Sequence, residues 1–255
     1  MFKELYQYRQ LLKSNVRKEI RGKYKGSFLG VLWSFVNPLL MTLVYAIVFP
    51  FLLKNSQDHY TTFIVMAILP WNWFTSSISQ GTNTVLVNGG IIKKVYFPRA
   101  ILPISIVVSG LVNFLISCLI IGIFLICSGI GFSVYIVFLP IIIFIQFMLQ
   151  LGIILITSSV DVYVRDAEYI INFFISLMFY ATPVLYSLDM FPPRFKFILQ
   201  LNPMATIISS YRDIFYYQQL PNFTLLAYVF VLSAFILFIG VKIFNKLEKG
   251  FAEEL

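Results

Sequence analysis

Between Arg99 and Asp161 the chain runs for 61 residues, Ala100 to Val160, without a charged side chain. As a single helix rising 1.5 Å per residue this run would be about 90 Å long, roughly three hydrocarbon thicknesses, so it must double back within a membrane. The Ser128-Gly129-Ile130-Gly131 break marks the turn and predicts spans over 100–127 and 134–160. Phe28–Leu53 is uncharged for 26 residues and predicts a span of its own. Tyr60–Ile92 is uncharged for 33, and its polar, glycine-rich tail (Gln80, Gly81, Asn83, Asn88, Gly89, Gly90) should end the helix near Val87. Tyr169–Leu188 and Phe223–Val241 complete six spans, while residues 189–222 between them are too polar and proline-rich to cross. The expected fold is an all-α polytopic membrane protein, one transmembrane domain over 1–255. A charged share of 12% beside 59% hydrophobic residues excludes an ordinary soluble domain.

The net charge of +8 would suggest nucleic acid in a soluble chain, but here the cations cluster between apolar runs. On one side of the predicted membrane, residues 1–27 carry eight Lys and Arg, 88–99 three, 161–168 one and 242–255 three, fifteen in all. The other side carries four: Lys54, Arg194, Lys196 and Arg212. This asymmetry places both termini in the cytoplasm. Trp71 and Trp73 beside Pro70 are then expected at the outer end of the second span, as interfacial anchors. The first 26 residues are too charged for a cleaved signal peptide, so nothing is expected to be removed on maturation.

Several segments between and within the spans bear on function. Arg9, Lys13, Arg17 and Arg21 recur every four residues beside an apolar stripe of Leu5, Tyr8, Leu12 and Val16. That pattern predicts an amphipathic helix along the cytoplasmic headgroups, serving as a lever or docking collar or simply as a topology signal. Residues 88–99 combine Ile91, Ile92, Val95, Tyr96 and Phe97 with Lys93 and Lys94. Such a segment either dips into the bilayer or docks in a cleft on a cytoplasmic partner, with Ile91, Ile92 and Tyr96 as anchors and the lysines at an acidic rim. Asp161 and Arg165 can pair if the fourth span continues past Asp161 as helix, and a solvated helix end accounts for the charges of 161–168 equally well. The outer segment 190–217 suits half-helices dipping into the outer leaflet, where Arg212 and Asp213 either pair or face headgroups and water. Aromatic residues make up 18% of the chain. Trp33, Tyr45, Phe174, Tyr180 and Tyr186 are candidates to line a path for sugar rings, near Pro38 and Pro183, which should kink spans one and five. Packing against lipid or neighbouring helices is the alternative for each ring.

The chemistry that is missing narrows the class further. No charge is expected inside any span, which argues against a proton relay, an ion-coupled carrier or a voltage sensor. Neither a phosphate-binding loop with Gly-Lys-Ser/Thr nor a zincin or hydrolase signature is present, so the chain is not expected to hydrolyse ATP or act as an enzyme. One histidine, His59, and two cysteines inside one apolar stretch leave no plausible metal site. Energy for any transport must come from a partner.

The run from Arg21 to Trp33 (RGKYKGSFLGVLW), followed by Asn37-Pro38, resembles the start of polysaccharide and teichoic-acid export permeases, the membrane subunits of type-2 ABC exporters. Phe97-Pro98-Arg99 with Leu102-Pro103, Val164-Arg165-Asp166, Pro183 with Tyr186, and Asn202-Pro203 with Arg212 continue the likeness in order along nearly the whole chain. The resemblance implies a homodimer in the bacterial cytoplasmic membrane, with two copies of an ATP-binding cassette subunit that holds ATP and Mg. The cargo would be an undecaprenyl-diphosphate-linked glycan of the O-antigen, capsule or wall teichoic acid class. It also implies an interface helix at 4–20, a coupling segment around Asn88, Ile91, Ile92, Lys93, Lys94 and Tyr96, and re-entrant half-helices over 190–217. Rival readings are an exporter of a small amphiphile and a membrane enzyme acting on lipid-linked sugars.

Overall fold

The computed structural model describes residues 2–22, 33, 36, 39–41, 43, 44, 47, 48 and 59–255, and all regular structure among them is helical. Most of the expected first span, with Pro38 and Tyr45, lies outside the described residues. The N-terminal helix is split at Tyr8 into α1 (Phe2–Gln7) and α2 (Arg9–Gly22). Two short turns, α4 (Thr84–Val87) and α5 (Gly89–Ile92), follow the long α3 (Tyr60–Thr82). Next come α6 (Ile101–Cys127), α7 (Leu139–Asp161, led by a 3-10 turn at Val134–Phe138) and α8 (Ala167–Tyr180). The outer segment forms α9 (Pro193–Gln200) and α10 (Pro203–Phe215), and the chain closes with α11 (Phe223–Leu247) and α12 (Phe251–Glu254).

Among the described residues, the helices containing α6, α7 and α11 are long and apolar enough to cross a bilayer. The turn between α6 and α7 falls at the expected break, where Gly129 and Gly131 take φ of 75° and 77°, a backbone region closed to most side chains. Among the described helices, α7 and α11 share the most extensive packing. There the backbones meet so tightly that a Cβ on Gly240 would stand 2.5 Å from the Gly152 carbonyl oxygen. Small residues permit this approach, and dispersion across the seam replaces the hydrophobic drive that lipid cannot supply between spans.

The centre of the bundle is α3. Phe63, Ile64, Val65, Met66 and Ala67 are fully buried, and the helix packs against α6, α7, α8 and α10. It also carries Asn72, Thr75, Ser76, Ser77, Ser79 and Gln80, which a helix surrounded by protein tolerates better than one facing lipid. Trp71 and Trp73 therefore do not anchor an interface. They sit mid-helix and buried, Trp73 stacked on Phe114 at 4.9 Å and Trp71 against Phe179 at 5.8 Å. Pro70 sits in the same stretch, and its carbonyl accepts a 2.9 Å hydrogen bond from the buried Gln146 amide of α7. The amide oxygen of Gln146 accepts in turn from the Tyr211 hydroxyl of α10 at 3.0 Å, stitching three helices together inside the core.

The helix α8, where the fifth span is expected, departs from expectation. It stops at Tyr180, eight residues short of Leu188, so Pro183 follows the helix end and does not kink a span. A proline has no N–H to donate and disfavours helical geometry in the residue before it, which makes it a stop signal here. The chain then turns through 181–187 to the outer helices. Asn202 fastens this region: its oxygen caps α10 at Met204 N (3.0 Å), and its amide donates to Thr182 Oγ1 at 2.9 Å.

Candidate functional site

Three places carry the chemistry the sequence points to. On the side holding the N- and C-terminal helices, a second apolar cluster joins Val85, Ile92, Phe97, Ala100, Leu155, Phe244 and Phe251, with Tyr8, Leu11 and Leu12 packed on it. Ile92 belongs to this cluster at 6% exposure. It therefore cannot be the docking anchor expected of it, because the α5 turn points it into the chain's own core. Ile91, Val95 and Tyr96 face outward, Tyr96 at 83% exposure, and Lys93 and Lys94 are exposed beside them. Asn88 ties the segment to its neighbours, donating to the Thr84 carbonyl at 2.8 Å and accepting from Lys18 Nζ of α2 at 3.4 Å. Arg99, the last residue of the Phe97-Pro98-Arg99 motif, donates to the Glu248 carbonyl and lies 6.0 Å from the Phe251 ring. A crevice of 520 Å³ opens here, lined by Glu4, Tyr96, Phe97, Arg99, Asn245 and Glu248 among others.

The connection after α7 also differs from expectation. The helix ends at Asp161, whose Oδ1 accepts from the Glu168 backbone N–H at 3.1 Å and so serves the first turn of α8. Glu168 itself accepts from the Asn83 amide at 2.9 Å. Because the helix does not continue, the geometry that would place Arg165 one turn along from Asp161 is lost, and Arg165 is exposed.

A groove of 330 Å³ runs between α3 and α8, lined by Trp71, Asn72, Thr75, Ser176, Phe179 and Tyr180 along with two isoleucines. Ring faces stand there next to amide and hydroxyl groups, the combination that suits a sugar. Of the rings singled out from the sequence, Tyr180 borders this groove, and Phe174 lies on the exposed stripe of α8 with Phe173 and Leu177. Tyr186 is half-buried beyond the helix end and donates to the Tyr180 carbonyl at 2.8 Å. Trp33 is half-buried and helical, and Tyr45 lies outside the described residues. Sequence reasoning missed Trp71, Asn72, Thr75 and Ser176 as groove residues. For Asn72 and Thr75 the side-chain pattern held a signal, polar groups in an apolar stretch long enough to span; for Ser176 on α8 it held none.

The third place is Arg212, 3% exposed. Its guanidinium donates to the carbonyls of Phe63 (3.3 Å), Val184 (2.7 Å), Tyr186 (3.1 Å) and Pro183, and it lies 3.5 Å from the centre of the Phe63 ring. It faces neither headgroups nor water. Three of these carbonyls belong to the irregular backbone that follows α8 and the fourth to α3, and the planar fork of the guanidinium reaches several at once. Asp213 is half-buried and accepts from the Gln219 amide at 2.8 Å.

Residues 10–216 match the family described as ABC-2 type transporter. Over 257 residues the chain is 34% identical to an O-antigen export system permease protein RfbA from Myxococcus xanthus, covering all of this chain and 99% of that protein. It is 36% identical over 239 residues to an O-antigen export system permease protein RfbA from Klebsiella pneumoniae, covering 93% of this chain and 92% of that one.

Proposed function

The chain belongs to the ABC-2 type transporter family, and from that premise we propose that it is the permease subunit of an ATP-driven exporter of a lipid-linked polysaccharide. The observation that carries this reading is the end-to-end likeness to O-antigen export permeases, at 34–36% identity. In the proposed assembly two copies of the chain form the path and two ATP-binding cassette subunits, which hold ATP and Mg, dock from the cytoplasm. The first of six spans covers residues 28–53, and α9 and α10 are re-entrant at the outer face. The groove between α3 and α8 supports a glycan as cargo, since it places Trp71 and Tyr180 beside Asn72, Thr75 and Ser176. A binding surface made of Ile91, Val95 and Tyr96 with flanking lysines supports docking of an ATPase, because apolar anchors carry affinity while rim charges chiefly steer.

The docking surface is tested by charge insertion. Tyr96→Asp and Ile91→Asp are expected to leave the permease folded and to cut capture of the ATPase by about tenfold or more, roughly the loss of one hot-spot residue. Surface polysaccharide should fall with it. Ile92→Asp acts differently, since it puts a charge into the chain's own core and should lower the amount of permease itself. Unchanged capture and surface polysaccharide in both Tyr96→Asp and Ile91→Asp would remove this face from the mechanism.

Orientation is checked independently by labelling. In a background with Cys118 and Cys127 replaced by alanine, single cysteines at Ser14, Asn88 and Ser187 are expected to react with an impermeant maleimide on intact cells only at Ser187. Reaction at Asn88 would reverse the topology.

A further inference from the structure

A groove of 480 Å³ lies between α2 and α6, lined by Leu12, Lys13, Val16, Arg17, Ile20, Arg21 and Val108. Its two sides differ in kind. Leu12, Val16 and Ile20 repeat every four residues on α2 and with Val108 of α6 make an apolar floor, all of them half-buried. Lys13, Arg17 and Arg21 repeat at the same interval along one edge and are exposed. At 1.5 Å per residue the three cations span about 12 Å of α2. None of the groove's lining residues is a carboxylate. Val108 is the eighth residue of α6, about 10 Å from its first residue along a helix long enough to cross a bilayer. That depth is where headgroups give way to acyl chains.

We propose that this groove is a binding site for an anionic phospholipid of the cytoplasmic leaflet, its phosphate held by Lys13, Arg17 and Arg21 and the start of an acyl chain laid over Leu12, Val16, Ile20 and Val108. Charge complementarity selects the occupant. A free phosphate has no use for the apolar floor, and a zwitterionic lipid brings its own cation to an edge that is already triply positive. Arginine's planar fork matches phosphate oxygens in a bidentate manner, and the volume falls within the range of small-molecule sites. The bound lipid would fasten α2 to α6 and hold the interface helix at the membrane surface. The proposal requires only that α6 spans the bilayer and that α2 lies at the cytoplasmic face, not that the chain exports a glycan.

The test uses the full chain without any ATPase, reconstituted in phosphatidylcholine nanodiscs containing phosphatidylglycerol, with retained lipid counted by native mass spectrometry. The wild type should keep one phosphatidylglycerol that the triple variant Lys13→Gln/Arg17→Gln/Arg21→Gln loses, with about a fivefold drop in retention for each cation removed. Val108→Phe keeps every cation and fills the floor, so it should lose the same lipid; Val16→Trp fills it from α2 should Val108→Phe fail to fold. Lys242→Gln/Lys246→Gln/Lys249→Gln makes an equal charge change elsewhere and should keep it. Retention by the folded groove-filled variant equal to wild type would reduce the cations to a diffuse surface charge and overturn the site. Equal loss in the control triple variant would do the same. Preferential retention of an added polyprenyl diphosphate over phosphatidylglycerol would overturn the choice of occupant, and capture of an acidic peptide in its place would overturn the lipid altogether.

Discussion

Gly152→Leu is expected to abolish accumulation of the folded protein. A Cβ at position 152 would stand 2.7 Å from the backbone nitrogen of Leu237, 2.8 Å from its Cα and 2.9 Å from the carbonyl carbon of Ile236. These are backbone atoms of α11, so no rotamer change can clear them and the two helices would have to separate. Separation would open the most extensive seam among the described helices, where close packing stands in for a hydrophobic drive. Overpacking of an ordinary core costs about 1–3 kcal/mol for added methylenes. A leucine forced between two backbones should exceed that, in a protein whose whole stability is on the order of 5–15 kcal/mol. Gly152→Ala should lower membrane abundance severalfold, and Gly240→Ala should behave alike, since its Cβ would meet the Gly152 oxygen. Gly122→Ala is the matched control, because its Cβ would make only an ordinary 3.6 Å contact with Phe132. Fluorescence-detected size exclusion of tagged variants reads all four. Wild-type accumulation of Gly152→Leu would show that the α7–α11 seam is not as close as described.

Arg212→Gln should produce the second large effect. Glutamine offers two donors in place of five, and since the Phe63 carbonyl keeps its own bond within α3, at least one of the three carbonyls at 183, 184 and 186 would be left without a partner. An unpaired buried acceptor costs about 1–3 kcal/mol, which with about 0.5–2 kcal/mol for the lost ring contact places the variant about 1.5–5 kcal/mol below wild type. Arg212→Lys should fall between the two, because an ammonium is a point donor that cannot fork across 183–186 or stack flat on Phe63. Phe63→Leu keeps every donor of Arg212 but takes the ring away from the guanidinium and from Tyr60 and Tyr216 in a fully buried site, and should cost about 1–3 kcal/mol. Thermal unfolding in one detergent, with surface polysaccharide measured alongside, gives the ranking. If Arg212→Gln unfolds at the wild-type temperature, the carbonyl cage does not hold the outer turn in place.

What could be read beforehand divides along a physical line. Where lipid is the solvent, composition alone decides: the charge-free run predicted 100–127 and 134–160, and α6 with the 3-10 turn and α7 occupies nearly those positions. Where protein is the solvent, composition says little. Trp71 and Trp73 have the chemistry of an interface anchor, yet α3 is wrapped by four helices and buries both. Ile91 and Ile92 are the same residue type one position apart, and only the turn of α5 decides which enters the core. Arg212 was visible as one of two arginines in the outer segment, beside Arg194. Its partners are backbone carbonyls, which every residue carries and no side-chain pattern reveals. The proline at 183 was noticed as a point where helix geometry is disturbed. Its effect was misjudged, because a helix that can end costs less than one that must bend.

The shortness of α8 bears on the bilayer itself. Fourteen residues rise about 21 Å, about 9 Å less than the hydrocarbon layer is thick. A lone apolar helix of that length would be matched by thinning of the lipid around it. Here the helix is continued by the irregular backbone of 181–187, and Arg212 takes up three of its carbonyls. As the fifth of the proposed spans, α8 would thus have its missing height made up within protein, and the lipid beside it would not need to deform.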